Sequence, residues 1–168
     1  RGPPSRPGAI PGGLIVPVFP SVEWFDAVRQ VFNSDESNRG AGGGTCDASV
    51  GIKVEDKAFV LLFEGFECID ASEVEADRLE DVDFYLDMEA SAWEEMLGNI
   101  SENGKADLDY TLNTLDLADD DGLAKSWSGD QYRQDLFFRY NQTFQYFFDA
   151  SSKVETVFES GGVAAEAE

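Results

Sequence analysis

Residues 136–148, LFFRYNQTFQYFF, place seven aromatic side chains within thirteen positions. Projected on a helix at about 100° per residue, five of the seven fall on one continuous arc, while Phe138 and Tyr146 lie outside it. Asn, Gln and Asp side chains, including Gln145 and Asp149, fill the opposite arc. An amphipathic helix buries its apolar face against a partner of similar size, so we expect the core to form around this helix. The apolar arc contains Tyr132, Leu136, Phe137, Tyr140, Phe144, Phe147 and Phe148.

The chain has 168 residues and a formal net charge of −22. This length fits one domain with a full core, and a hydrophobic content of 42% is that of a folded protein with an acidic surface. Nucleic acid is excluded as a partner because no cluster of Lys and Arg could meet a phosphate backbone. No apolar run approaches the roughly 20 residues of a spanning helix, so we predict no integral membrane association and a cytoplasmic location.

The sequence contains no histidine. Ser-His-Asp triads, Cys-His dyads and His-ligated metal sites are therefore excluded. The acidic loop LADDDG, residues 117–122, lacks the ligands that a calcium loop needs at its two ends. We predict a solvated turn there, and neither a metal nor another cofactor. Cys46 and Cys68 are too far apart for a CxxC motif; between one disulfide and two buried thiols, we expect the thiols.

Hydrophobic periodicity predicts the order of the first elements. Ser21 is the predicted N-cap of a helix that ends near residues 33–35. Residues 50–54 and 58–63 form a hairpin whose second strand is apolar on both faces, so both faces of the sheet need cover there. A half-buried strand at 82–88 follows, then a helix opened by a capping box of Ser91 and Glu94. The stripe of that helix contains Trp93, Met96, Leu97 and Ile100.

The second half is less regular. Residues 106–117 fit the helical and the strand period equally well, and residues 122–127 are a short strand candidate. Ser128 and Gln131 stand at capping-box spacing before the aromatic helix. We predict an unstructured leader at 1–15, one domain at 16–158 and a flexible acidic tail at 159–168. The order of elements indicates an α+β domain with helices on one side of an antiparallel sheet.

Three stretches carry a family resemblance: GIKVEDKAFVLLFEG (51–65), VDFYLDMEASAWEEMLGN (82–99) and WSGDQYRQDLFF (127–138). Their order resembles the sterol-carrier-protein type 2 lipid-binding family, in which a charged strand leads into a helix that ends in Gly and a Gly-Asp pair opens the last helix. Gly98, Gly129 and Asp130 match these positions. The likeness spans most of residues 16–150, although the connection at 101–121 is longer than the family's, which implies a lid or an extra helix.

The resemblance implies a five-stranded antiparallel or mixed sheet with helices over one face, enclosing an apolar cavity. We predict a non-catalytic carrier for a fatty acid, acyl chain, sterol or isoprenoid held between the aromatic helix and the sheet. Ordinary core packing is the alternative for the same face, but aromatic rings tile poorly and favour a cavity. Arg133 projects into the aromatic arc. Its guanidinium group either forms a structural ion pair or anchors a ligand carboxylate or phosphate. The predicted ligand-binding residues are Phe59, Leu61, Phe63, Phe84, Trp93, Arg133, Phe137, Tyr140, Phe144 and Phe147.

Two other functions stay open. A small cofactor-free enzyme would use a carboxylate of raised pKa with Tyr110, Tyr132 or Tyr140 as acid and base. An acidic protein-interaction module would have a filled core and an exposed apolar patch. Phe138 and Tyr146, which lie off the apolar arc, are candidates for a contact with another subunit, as in a homodimer, or with a mobile tail.

Overall fold

The computed structural model describes residues 16–35, 45–159 and 163–164. Its helices are α1 (Val22–Ser34), α2 (Ala90–Asn103), α3 (Leu112–Ala118) and α4 (Gln131–Asp149), with 3-10 helices at Ala76–Asp81 and Ala150–Lys153. Its strands are β1 (Val18–Phe19), β2 (Ala48–Val54), β3 (Lys57–Glu64), β4 (Glu67–Val74), β5 (Phe84–Met88), β6 (Ala124–Lys125), β7 (Thr156–Phe158) and β8 (Val163–Ala164). The predicted leader at 1–15 and most of the glycine-rich loop before Cys46 lie outside these residues.

Five strands form a mixed main sheet in the order β4-β3-β2-β5-β6. β2 runs antiparallel to β3 and parallel to β5, while β4 and β6 join antiparallel at the two edges. The α+β class and the five-stranded sheet are confirmed. A small second sheet contains β1, β7 and β8. Residues 163–164, within the predicted tail, pair with β7.

One face of the main sheet, here called the inner face, packs against the helices. Because side chains alternate along a strand, Val50, Ile52 and Val54 of β2 share this face with apolar residues of β3 and β5. The aromatic helix α4 and the stripes of α1 and α2 lie over it in one continuous core. The helical periods predicted from the sequence therefore identify most of the residues that each helix turns toward the sheet.

Both predicted capping boxes are wrong. α2 begins at Ala90, one residue before Ser91, and the backbone N–H of Ala90 donates to the Glu55 carboxylate at 3.0 Å. The N-cap of α4 is Asp130, which accepts from the N–H groups of Tyr132 and Arg133. Local spacing favours serine at both places, but the path of the chain into each helix decides which carboxylate reaches the free N–H groups.

The resemblance is right about Gly129 and Asp130 but wrong about Gly98. Gly129 has φ +73°, a left-handed conformation that favours glycine, and it leads directly into the Asp130 cap. Gly98 lies inside α2, which continues to Asn103 and ends at Gly104 with φ +81°. That helix therefore extends further than the family pattern implies.

Strand β4 has no clear signal in the sequence because its alternation is interrupted. Leu62 pairs with Asp70, yet the next residue, Phe63, pairs with Cys68, so that the register skips Ile69. A bulge of this kind adds one residue to a strand and breaks the period of two. Three acidic residues within this edge strand further obscure the alternation of apolar and polar residues. Cys68 and Ala71 both pack on the inner core despite their odd spacing.

The outer face of the main sheet is partly covered by the 3-10 helix Ala76–Asp81. Leu79 of this helix is 1% exposed and packs with Ala58 and Val82 in a small cluster. Gly51 makes room for it, since a Cβ there would lie 2.5 Å from Leu79 Cδ2 and 2.7 Å from Tyr85 Cβ. The outer face of β3, which was predicted to need cover, is thus partly covered by this 3-10 helix.

Candidate ligand-binding site

The structure brings most of the predicted ligand-binding residues into one core. Eight of the ten are at most 5% exposed. The Phe63 ring centroid lies 5.3 Å from that of Phe144 and 5.7 Å from that of Phe147, and Phe84 lies 5.4 Å from Phe144. Most of these ring pairs are T-shaped, which is a favourable geometry for aromatic side chains. The eight residues are Phe59, Leu61, Phe63, Phe84, Trp93, Phe137, Phe144 and Phe147.

The eight residues do not all face one ligand. Phe59 packs on Phe25 of α1, with ring centroids 4.8 Å apart. Trp93 of α2 contacts Phe148 and donates from its indole N–H to the Lys53 carbonyl at 2.9 Å. The part directly between α4 and the sheet is smaller. We call this part the aromatic interface: Val50, Ile52, Leu61, Phe63, Leu86, Phe144, Phe147 and Phe148.

The space directly between α4 and the sheet, at the aromatic interface, is closed in this structure. The space enclosed by the aromatic interface has about 0 Å³ open to a water molecule. At the aromatic interface the rings leave no such room, because edge-to-face contacts let Phe63, Phe144 and Phe147 interlock. Every residue around the space is apolar. A ligand could occupy this place only if its lining side chains or α4 moved.

Arg133 and Tyr140 lie at the margin of the core and are half-buried. The Arg133 guanidinium donates from Nη1 to the Val82 carbonyl at 3.0 Å, and its Nε is 3.9 Å from Asp130 Oδ2. These contacts join the start of α4 to the residues that precede β5. Arg133 thus has the structural role that the sequence allowed, and its role as a ligand anchor stays a prediction.

Comparison with known proteins gives one informative result. A solved structure, "Crystal structure of sterol carrier protein 2", superposes on 80% of this chain and 97% of that chain with a TM-score of 0.54. The chain has the fold of sterol carrier protein 2. Sequence identity is 21%, so the likeness concerns the fold. No family model matches the sequence, and no curated protein does.

The longer connection that departs from the sterol-carrier family pattern covers the polar side of α4. Residues 107–111 form turns and α3 follows, which settles the segment that fitted both periods. The Gln145 side chain accepts from the Leu112 N–H at 2.8 Å and donates to Asp149 Oδ1 at 2.9 Å. Asp149 Oδ1 also accepts from the Ala106 N–H at 3.0 Å. We call Gln145 and Asp149, with the backbone they bind, the polar clamp.

Helical projection places both clamp residues on the solvent side, but Gln145 is 9% exposed. The connection packs over them and inserts Leu112, which is fully buried, into the core. Burial raises the pKa of the Asp149 carboxyl group, while its two hydrogen bonds and Lys105 oppose the shift. Sequence reasoning missed the clamp because its partners are backbone N–H groups of a distant segment.

Cys46 and Cys68 are free and buried, as expected. Burial raises the pKa of each thiol to about 12. Both thiols are therefore protonated at neutral pH and are poor nucleophiles.

The acidic loop predicted as a turn at 117–122 begins inside α3, whose last two residues are 117 and 118, and the turn itself follows at 119–122. Asp116 accepts from the Leu123 N–H at 2.6 Å, and Asp119 accepts from the Asp121 N–H at 2.9 Å. In the described part of the chain, no group of three or more Cys, Asp or Glu side chains is placed to hold a metal ion. No helix in this part combines the length and apolar character needed to cross a membrane.

An open groove lies on the outer face of the sheet and was not predicted. Its volume is about 530 Å³, and it runs between β3, β4 and the 3-10 helix Ala76–Asp81. We call it the outer groove. Its lining consists of Ser49, Val60, Leu62, Ser72, Glu73, Val74, Glu75, Arg78, Asp81 and Val82.

Proposed function

We propose that this chain is a non-catalytic binding protein for one apolar molecule, such as a fatty acid, acyl chain, sterol or isoprenoid, held between α4 and the main sheet. The observation that carries the proposal is an interface lined only by apolar residues, on the fold of sterol carrier protein 2. Such a surface favours an apolar guest by about 25 cal/mol for each Å² of apolar area removed from water. We also expect a cytoplasmic location, which the two free thiols support.

Because the aromatic interface is closed, binding in this proposal requires an opening step. The guest would replace ring-to-ring contacts of Phe63, Phe144 and Phe147 by contacts with itself. α4 is held at its start by Asp130 and Arg133 and near its end by the polar clamp. A guest with an acidic headgroup could reach Arg133 at the start of the helix, where its guanidinium is partly exposed.

Native mass spectrometry of the purified protein, before and after delipidation, tests the proposal. We expect one lipid-sized adduct per chain that delipidation removes and added fatty acid restores. Phe144→Leu should speed fatty-acid uptake by loosening the closed interface, whereas the matched change Phe138→Leu on the exposed surface should not. A protein that never carries an adduct and takes up neither fatty acid nor sterol contradicts the proposal.

One observation favours a second candidate, the acidic interaction module. The aromatic interface is filled, and three aromatic side chains near the start of α4 are exposed: Trp127 at 52%, Tyr132 at 70% and Phe138 at 53%. Tyr132 belongs to the predicted apolar arc but lies in the first helical turn, where it is not covered. Sedimentation velocity with Phe138→Ser tests the homodimer version. Loss of a dimer in the variant supports it, and a monomeric parent protein contradicts it.

The enzyme alternative needs a buried carboxylate of raised pKa near a tyrosine. Within the described part of the chain, Asp149 is the carboxyl group with a clearly raised pKa, and its bonds to Ala106 and Gln145 give it a structural role. No observation on Tyr110, Tyr132 or Tyr140 favours this alternative over the other two.

A further inference from the structure

The outer groove has the dimensions of a ligand site. Its volume of about 530 Å³ lies within the roughly 300–1,000 Å³ typical of small-molecule pockets. Its apolar floor is formed by Val60 and Leu62 of β3 with Val74 and Val82 on either side. Three of these four side chains are half-buried, so apolar surface remains open on the face of the sheet away from the helices.

The wall of the groove is held in place by packing and hydrogen bonds. Leu79 sits against Gly51 beneath the 3-10 helix and is 1% exposed. At the end of this segment, Asp83 accepts from the Ser49 N–H at 2.9 Å, and the Asp83 N–H donates to the Ser49 hydroxyl at 3.1 Å. The groove is therefore present before any ligand arrives, in contrast to the aromatic interface.

The charge of the groove decides what kind of molecule fits it. Three of its charged lining residues are acidic, Glu73, Glu75 and Asp81, and one is basic, Arg78. Arg78 Nη1 lies 3.7 Å from Asp81 Oδ2, so its charge is partly neutralised. The chain as a whole carries −22. An anionic headgroup is repelled by this field and a cationic one is attracted.

We propose that the outer groove binds a small amphiphilic cation, namely an amine or ammonium compound with an apolar body. The apolar body lies on Val60, Leu62 and Val74, and the positive charge lies at the rim beside Glu75 and Asp81. This site is separate from the one between α4 and the sheet. It does not require the aromatic interface to open.

Titration with dodecyltrimethylammonium below its micelle concentration, followed by amide NMR shifts, tests the proposal against dodecanoate and dodecanol of the same chain length. We expect saturable binding of the cation with shifts confined to β3, β4 and the 3-10 helix Ala76–Asp81, and at least tenfold weaker binding of dodecanoate at this place. Equal or tighter binding of dodecanoate in the groove overturns the proposal. Shifts centred on α4, or no saturable binding, overturn it as well.

Two variants locate the site. Ser72→Trp, on edge strand β4, fills the groove without removing a core contact and should abolish cation binding. Asp81→Asn, whose side chain is 65% exposed, should weaken cation binding about twofold to fivefold, the range of a surface charge pair. Asp77→Asn is the matched control, since Asp77 is exposed on the same 3-10 helix but does not line the groove. Unchanged binding by either test variant contradicts the assignment.

The two proposed sites can fail independently. If Ser72→Trp loses the ammonium probe but still shows a fatty-acid adduct in native mass spectrometry, both proposals stand. If Ser72→Trp does not bind the ammonium probe, and neither the parent protein nor the variant ever holds fatty acid, only the outer-groove proposal stands. If the parent protein holds fatty acid but the cation does not bind in the groove, only the carrier proposal stands.

Discussion

The apolar side chains on the two faces of the main sheet are covered in different ways. β3 presents Phe59, Leu61 and Phe63 to the inner face and Ala58, Val60 and Leu62 to the outer one. The inner face meets interlocking rings and is filled, whereas the outer face is covered only where Leu79 reaches it. The rest of the outer face is either the apolar outer groove or, across β2, β5 and β6, a wet surface.

Ion pairs connect the strands in the solvent-exposed part of the outer face. Asp87 of β5 lies 3.9 Å from Lys53 Nζ and 3.5 Å from Lys125 Nζ. The outer face therefore carries an ion-pair network across β2, β5 and β6 directly beside the apolar groove on β3 and β4. A residue on this sheet is therefore buried when a helix or loop packs over its position. Burial is not a property of a whole face of the sheet.

The largest expected effect is on the inner face. Phe144→Ala should lower the free energy of unfolding by about 3–5 kcal/mol, because it removes a fully packed ring and leaves a cavity. Phe138→Ala, the same change at an exposed position of α4, should stay within about 0.5 kcal/mol. Urea denaturation followed by tryptophan fluorescence measures both. Similar losses for the two variants would contradict the description of the interface as filled.

Two neighbouring leucines compare the faces directly. Leu61→Ala should cost about 2–5 kcal/mol in the free energy of unfolding, since Leu61 is 1% exposed in the core. Leu62→Ala removes the same atoms from the half-buried floor of the outer groove and should cost about 1 kcal/mol, near the centre of the distribution for single mutants. The difference in urea midpoints measures the contrast. Equal costs would mean that the groove is closed in solution.

Two glycine substitutions compare a covered position of the sheet with an open position of a helix. Gly51→Ala should cost about 1–3 kcal/mol through overpacking, because its Cβ would meet Leu79 and Tyr85. Gly98→Ala is the control: nothing lies within 4 Å of a Cβ there, and alanine in a helix should add up to about 1 kcal/mol. Thermal unfolding should therefore shift in opposite directions for the two variants. A neutral Gly51→Ala would show that the 3-10 helix is not seated on β2.

The smallest effect concerns the polar clamp and depends on pH. Because the pKa of Asp149 is raised on folding, the folded state holds its proton longer, so this group's contribution to stability falls as pH rises from about 3.9 through its folded pKa. Asp149→Asn keeps an acceptor oxygen without the charge. Its stability relative to the parent should therefore rise over that window and then level off.

Urea midpoints at several pH values between 3.5 and 7.5 measure this difference. Asp135→Asn, on the exposed side of the same helix, is the control for removing an acidic side chain from α4. A relative stability of Asp149→Asn that falls with increasing pH would mean that the charged carboxylate is stabilised in the clamp.

Local periodicity was enough to predict the helices α1, α2 and α4, the β2–β3 hairpin and the buried stripe at Trp93, because each depends on residues close in the chain. Strand β4 escaped prediction because the bulge at Ile69 breaks its alternation. Ten residues were predicted to bind a ligand, and eight of them lie in the core. What could not be predicted was their packing against one another, which depends on ring orientations across three elements.

Composition and hydrophobic period were sufficient to predict an acidic α+β domain around an aromatic helix, since they specify which faces are apolar. The interlocking of the rings at the aromatic interface, the cover over Gln145 and Asp149, and the open groove on the opposite face of the sheet became visible only in the folded chain. The physical reason is that apolar period specifies what must be buried, whereas the volume left after burial depends on the shapes that meet.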